Sequence, residues 1–407
     1  MEKKMMILGA SALQVPAIKK AKEMGYQVIL VDYDENAVGF PLADVKLIVS
    51  TLDQEEVYRQ ALLYQPDVVL TSTSDGPVRT AAYVNEKLGK KPDLSYEDSL
   101  CATIKSHMRN RLKENNVPIP EYHAVSDYEA FKEAVWKLNG YCIVKPADNA
   151  GSRGVQLVDV REYLTEAVAN VHAAESKLQE MYAYSKENSR NGIVMVEEFM
   201  NGPEVSVESM TVDGETQILT ITDKYITPPP YFVELAHCEP SMLAEEVQEQ
   251  IKKVTLQAVK AIRLQNGPSH TEIKVTKDGP KVVELAARLG GDFITSRLVP
   301  LSTGIDMVGA SVELAAGEKI NISRKWNKGA VIHFIQAGEG IVEKITVPEE
   351  VYRLKGVEEV VIYDKAGEHL AGTKSSNDRL GHVITSAETA KEAMEIGKKA
   401  LEMIGSF

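Results

Sequence analysis

At 407 residues, 44% hydrophobic and 26% charged, the chain is too long for one ordinary core and too apolar for extensive disorder; about two to four soluble domains are expected. Its 59 acidic against 46 basic side chains leave a net charge of -13, a field that repels nucleic acid and anionic membrane, so an anionic ligand must be held by a local cluster of cations and amides. Three distant cysteines, Cys101, Cys142 and Cys238, have no zinc-ligand spacing; with an N-terminal apolar run too short for a signal peptide and no stretch near the ~18 residues of a membrane span, they read as buried thiols of a cytoplasmic protein.

The first part of the chain alternates: "KMMILGAS" reads as a strand, Val15 to Met24 as a helix, "YQVILVDYD" as a second strand and, after another helix, "PDVVLTSTSD" as a third. That order predicts a parallel, doubly wound sheet. Gly9 after the first strand and Asp32 at the end of the second invite a dinucleotide reading, but the full Gly-x-Gly-x-x-Gly is lacking. "SYEDSLCATIKSHMRNRLKENNVPIP" reads as a helix followed by a linker near Asn115 to Pro120. "YCIVKP" and "GVQLVDV" form a hairpin around the loop "ADNAGSR", and a polar helix follows over about Glu162 to Lys186. Two strands then flank a Gly-Pro turn in "GIVMVEEFMNGPEVSVESMTVDG", a helix covers Glu245 to Arg263, and "HTEIKVTKDGPKVVELAARLGGD" is a second hairpin. The tail from about Ile320 mixes the strands "AVIHFIQA" and "EEVVIYDK" with a final helix.

Three pieces of this pattern carry chemistry. In "VKPADNAGSRGV", Gly151 and Gly154 allow close backbone approach, Ser152 offers a hydroxyl and Arg153 a charge, and Lys145 on the incoming strand reaches a phosphate; a plain surface turn uses the same residues. In the late hairpin, Glu272 and Glu284 share one face if the connection is the odd loop Asp278, Gly279, Pro280. Two facing carboxylates repel unless a cation lies between them, and hard oxygens beside phosphate suit Mg²⁺; solvated surface acids are the alternative. Arg288, four residues on, is placed to meet developing negative charge or to serve a structural ion pair. In "VMVEEFMNGPE", the strand edge at Glu197, Glu198 and Phe199 offers groups to a purine, and Glu204 can bind ribose hydroxyls.

Taken together, in this order and spacing, these residues resemble the ATP-grasp superfamily of ATP-dependent carboxylate-amine ligases, over essentially the whole chain. The resemblance rests on Lys105 in "IKSHMR", "VKP" with Lys145, the small-residue loop, "EEF", the acid at Glu204, and the two acids of a hairpin ending in "ELAAR". It implies an α/β and α+β multidomain protein: an N-terminal α/β domain over 1–115, two ATP-grasp subdomains over 116–190 and 191–320, and a C-terminal domain over 321–407. By the same resemblance, Lys105 and Lys145 contact ATP phosphates and the loop Gly151, Ser152, Arg153 and Gly154 folds over them. Glu197, Glu198 and Phe199 border adenine, and Glu204 holds ribose. Glu272 and Glu284 bind Mg²⁺ or Mn²⁺, and Arg288 faces the transferred phosphate. His270 orients a substrate or takes the proton of an incoming amine. Many members carry Glu-x-Asn at the second metal position, where this chain has Ala286 after Glu284, which costs the metal a ligand.

The implied reaction joins a small carboxylate to an amine through an acyl phosphate, with amino-acid ligases the nearest look-alikes. A purine-pathway ligase such as glycinamide ribonucleotide synthetase, a carbamoyl-phosphate-synthase-like enzyme and a non-catalytic ATP-binding module remain as alternatives. Expected partners are small molecules and a second copy of the chain, not nucleic acid or membrane. The stretch "DKYITPPPYFVELAHCEP", with Tyr225, Glu234 and His237, is the candidate substrate-facing loop.

Overall fold

The computed structural model describes residues 3–90, 92–149, 153–161, 169–229 and 231–405, the side chains of 169–173 excepted. Four parallel strands open the chain, β1 (Lys4–Leu8), β2 (Gln27–Asp32), β3 (Val45–Ile48) and β4 (Val68–Leu70), in the order β3-β2-β1-β4. Strands β1, β2 and β4 are apolar along almost their whole length because both faces are covered. Met5, Ile7, Val28 and Leu30 join one core, and Met6, Leu8, Ile29 and Val31 the opposite one. Helices α1 (Val15–Glu23), α2 (Gln54–Tyr64) and α3 (Gly76–Lys87) supply the covering residues, among them Ile18, Val57 and Val84. The sequence pattern yields three of these strands; β3 is an edge with Leu47 as its one fully buried residue, too short and too exposed for periodicity to mark. The Asp32 carboxylate is spent on its own turn, accepting the amides of Ala10 (2.8 Å) and Asp34 (3.0 Å).

The helix expected across residues 95–115 is two helices, α4 (Tyr96–Cys101) and α5 (Lys105–Glu114). The break makes Lys105 the first residue of α5, with its amide donating to the Ala147 carbonyl at 2.7 Å. A four-stranded antiparallel sheet follows, β5 (Tyr122–Val125), β6 (Tyr141–Pro146), β7 (Gln156–Asp159) and β8 (Val194–Glu198), in the order β5-β8-β6-β7. Helices α6 (Tyr128–Lys137) and α7 (Ala169–Glu187) close its core on Phe131, Val144, Leu178 and Val196.

The largest sheet has eight strands in the order β13-β12-β9-β10-β11-β14-β18-β16. They are β9 (Glu204–Val212), β10 (Glu215–Ile226), β11 (Glu234–Glu239), β12 (Gly267–Thr276), β13 (Gly279–Ala286), β14 (Gly329–Ile335), β16 (Val357–Ile362) and β18 (Gly381–Ala387), and β15 (Glu339–Ile341) pairs separately with β17 (His369–Ala371). Helices α8 (Glu245–Ala261), α9 (Val299–Thr303) and α10 (Met307–Ala315) pack on its first half, and α11 (Glu349–Tyr352) and α12 (Ala390–Ile404) on its last strands. Because β11 pairs with β14, the sheet runs without interruption across residue 320 into the tail. Strands β8 and β9, adjacent in sequence, lie in different sheets. The turn between them presses so closely on β12 that a Cβ at Gly202 would sit 1.9 Å from the Val275 carbonyl oxygen. Among the described residues no single helix is long and apolar enough to cross a membrane, and the three cysteines are free and buried.

Candidate active site

A cleft of about 350 Å³ lies where the two antiparallel sheets meet beside the N-terminal sheet's loops. Its walls bring together, from four separate parts of the chain, Lys105, Lys145, Arg153, Glu197, Glu198, Phe199, Glu204, His270, Glu272, Glu284 and Arg288. Gly154 stands just behind, at φ +78°, its carbonyl accepting the Ser185 hydroxyl at 2.8 Å. Gly151 and Ser152 lie outside the described residues.

The two acids of the late hairpin face each other, but not by the expected loop. Thr276 pairs with Gly279, so the turn is the two residues Lys277 and Asp278, and a regular ladder from it would set Glu272 against Val283. A bulge intervenes: Ile273 pairs with Val282 and Glu272 with Glu284, leaving Val283 without a partner on β12. Arg109, fully buried on α5, holds that bulge by donating to the carbonyls of Val282 (2.9 Å) and Val283 (2.8 Å).

Lysines relieve the repulsion between the two acids. Lys105 donates to Glu284 (2.8 Å) and to the Asn149 carbonyl (2.8 Å). Lys224 bridges Glu272 (2.8 Å) and Glu204 (2.7 Å), and Lys274 reaches Glu204 at 3.1 Å. Burial disfavours the Glu272 anion, yet Lys224 and His270 outweigh it and hold the carboxyl well below the usual range. The same acids raise Lys224 well above its ordinary value against the effect of burial.

A second buried knot ties α5 to the small sheet. Glu197 accepts from Arg109 at 2.8 and 3.0 Å and from Lys145 at 2.7 Å. Burial works against its charge, but the two cations dominate and hold it at about 2. Lys145 is lowered, by burial first and then, despite Glu197, by the neighbouring charges of Arg109 and Lys105. Glu198 is held by Lys281 at 2.9 Å, while Phe199 packs on Tyr141 with ring centroids 4.8 Å apart.

Arg288 donates to Asp75 (2.8 Å), a residue of the N-terminal domain, and to the Leu289 carbonyl (2.9 Å). His270 sits between two acids, Nδ1 at 2.6 Å from Glu208 and Nε2 at 3.6 Å from Glu272. Burial favours its neutral form, but Glu208 prevails and raises it to about 9. Of the proposed substrate-facing stretch, Glu234 and His237 on β11 border the cleft; Tyr225 lies on the other face of the sheet, 38% exposed. Arg379 from the tail meets Asp292 (3.0 Å) and Glu234 (3.0 Å) while lying 3.6 Å from the Phe334 ring centroid.

Sequence reasoning passed over Arg109, Lys224, Asp75, Asp292 and Arg379. Two left a signal: Arg109 follows Lys105 by four residues and so shares its helix face, and Lys224 is the single cation of its strand, just after the apolar and threonine run Ile218 to Thr222. The others depend on long-range folding.

Comparison with known proteins gives matches in sequence and in fold. Residues 138–296 match the ATP-grasp domain family, and residues 333–405 match the L-amino acid ligase C-terminal domain 2. An uncharacterized protein, y4rH, of Sinorhizobium fredii is 29% identical over 302 residues, 74% of this chain and 60% of that protein, so the chain spans less than two thirds of it. The L-arginine-specific L-amino acid ligase of Bacillus subtilis is 24% identical over 332 residues, 80% of this chain and 77% of that one. The crystal structure of an L-amino acid ligase from Bacillus licheniformis superposes with a TM-score of 0.81 at 24% identity, covering 99% of this chain and 98% of that one, a likeness of fold.

Proposed function

Because this chain belongs to the ATP-grasp ligases, we propose that it phosphorylates a small carboxylate with ATP and couples the product to an amine, with an L-amino acid as the carboxylate substrate. The observation that carries this reading is the facing pair Glu272 and Glu284, each already paired with a lysine, in the same cleft as Lys145 and Arg288. A site of alternating acids and cations suits a polyanion held with a divalent ion, and little else needs so many buried charges in one place.

ATP lies in this reading with its base against Phe199, just past the end of β8, and its phosphates toward Lys105, Lys145 and Arg153. Glu204 takes the ribose hydroxyls and exchanges part of its contact with Lys224 and Lys274 for them. The donors fit a hard cation, with two carboxylates on one face, while Ala286 adds no side-chain oxygen to them. Glu272 and Glu284 would hold Mg²⁺, or Mn²⁺ on the same donors, and the ion supplies neutralisation of phosphate charge.

The chain's own residues then do two things. They align the substrate carboxylate oxygen with the γ-phosphorus, so that the new C–O–P linkage forms as the bond to ADP breaks, and Arg288 neutralises charge on the moving phosphoryl group. An amine next attacks the carbonyl carbon, phosphate leaves with the C–O electron pair, and the proton lost by the amine passes to the departing phosphate. No protein nucleophile takes part. His270, raised to about 9 by its contact with Glu208, acts in this reading as a cation beside Glu272, which favours the role of orienting a substrate over that of taking the amine's proton.

Glu234 and His237 support an amino acid as substrate, because an acid and an imidazole beside the reacting end complement an ammonium group. Incubation with ATP, Mg²⁺ and pairs of amino acids, followed by measurement of ADP, tests the proposal. Phosphate release that requires both an amino-acid carboxylate and an amine supports it; ATP binding with no turnover for any pair leaves a nucleotide-binding module.

A further inference from the structure

Strand β11 borders a cavity on each of its two sides. Glu234 and His237 border the cleft, whereas Leu235 and Ala236 border a separate cavity of about 480 Å³ between the sheet and α12. That volume is in the range of small-molecule sites, and the reaction proposed for the cleft makes no use of it.

The cavity wall is largely apolar, with Leu235, Met242, Met394 and Leu401 among its residues; Tyr225, Gln336 and three charged side chains are exposed around it, and His333 is its buried polar side chain. His333 on β14, paired with Ala236, is only 6% exposed, and neither ring nitrogen has a hydrogen-bond partner among the described residues. Leaving a buried donor or acceptor unpaired forfeits its hydration without return. The chain also makes room for the ring: a Cβ on Gly397 of α12 would lie 2.3 Å from His333 Nδ1. A glycine inside a helix weakens it relative to alanine, so the fold gives up helix stability to seat an imidazole with no hydrogen-bond partner among the described residues. Burial, aided by Lys398, pushes the imidazole down to about 4, so at neutral pH it offers one donor and one acceptor. At the rim, Lys391 and Lys398 are exposed and in no ion pair among the described residues, with Glu395 as the opposing acid. The mouth is therefore locally cationic on a chain of net charge -13.

We propose that this cavity binds a small hydrophobic carboxylic acid. Its apolar body lies against Leu235, Met394 and Leu401, its carboxylate points to Lys391 and Lys398, and His333 donates to it.

The probe is 3-phenylpropionate, followed by NMR of methyl-¹³C-methionine protein with Met242 and Met394 as reporters. Both resonances are expected to shift saturably, and to do so equally with ADP and Mg²⁺ present. The amine 3-phenylpropylamine is expected to leave them unmoved. Lys398→Glu, on the exposed face of α12, is expected to weaken binding about tenfold, roughly 1.4 kcal/mol, and Met394→Trp, which fills the cavity, to abolish it. Absence of saturable shifts, loss of the shifts on adding nucleotide, equal binding of the amine, or binding indifferent to both substitutions would each overturn the proposal.

Discussion

Glu272 and Glu284 stand opposite one another across the β12–β13 hairpin because Val283 is bulged out of the ladder, and Arg109 holds the bulge by its carbonyls. The metal-type pair is thus set by Arg109, which precedes the bulge it holds by 173 residues in sequence. A charge network that reaches so far makes individual substitutions diagnostic.

Glu284→Gln keeps the shape of the side chain and the hydrogen bond from Lys105 but removes the charge. The maximal rate of ADP formation is expected to fall by about 10²-fold or more, with a higher Mg²⁺ requirement and retained nucleotide binding. A variant that turns over normally at low Mg²⁺ would separate Glu284 from the metal.

Arg109→Ala removes the partner of a buried carboxylate and two carbonyls together. Breaking such a pair costs about 3–5 kcal/mol, read as a lowered denaturant midpoint. The same knot gives acid sensitivity. Glu197 is depressed from 4.5 to about 2, so its stabilisation is fully present above pH 4.5 and is lost as pH falls toward 2. The amount is of order ~3 kcal/mol, and Glu197→Gln is expected to flatten that part of the stability profile.

His270 carries the opposite sign. Raised from 6.5 to about 9, it contributes stability present below pH 6.5 and lost as pH rises through about 9. The rate profile between pH 6 and 8 is expected to contain no His270 limb. Glu208→Gln removes the carboxylate that keeps the ring charged, and a new ionisation near the ordinary histidine value is expected to enter that window.

Arg288 is aimed by Asp75 from the N-terminal domain. Arg288→Lys keeps a charge but loses the planar fork, and about 10²-fold in kcat is expected to go with it. Asp75→Asn keeps a hydrogen-bond acceptor for Arg288, so a smaller loss in kcat with unchanged KM for ATP is the expected result; a normal kcat would show that the contact between the domains does not aim the arginine.

Local pattern made the parallel N-terminal sheet and both hairpins legible, since strand alternation is visible in a short window, and the order of acids and lysines along the chain, through its family resemblance, picked out Lys105, Lys145, Glu204, Glu272, Glu284 and Arg288, which line one cleft. What depends on register or on distant partners was not. The turn at Lys277 and Asp278 with its bulge reaches the same facing pair as the expected three-residue loop, by a different route. The break at Ala102 to Ile104 and the edge strand β3 carry no strong breaker or period. Asp75, Lys224 and Arg379 gain their meaning only when three separate sheets and the tail converge. Tyr225, grouped by proximity in sequence with Glu234 and His237, was separated from them by the pleat.

The acyl phosphate is the center of the account, and isotope transfer tests it directly. With an amino acid labelled by ¹⁸O in its carboxylate, an amine, ATP and Mg²⁺, one labelled oxygen is expected in inorganic phosphate, alongside ADP. Label in AMP with release of pyrophosphate, or phosphate free of label, would contradict it.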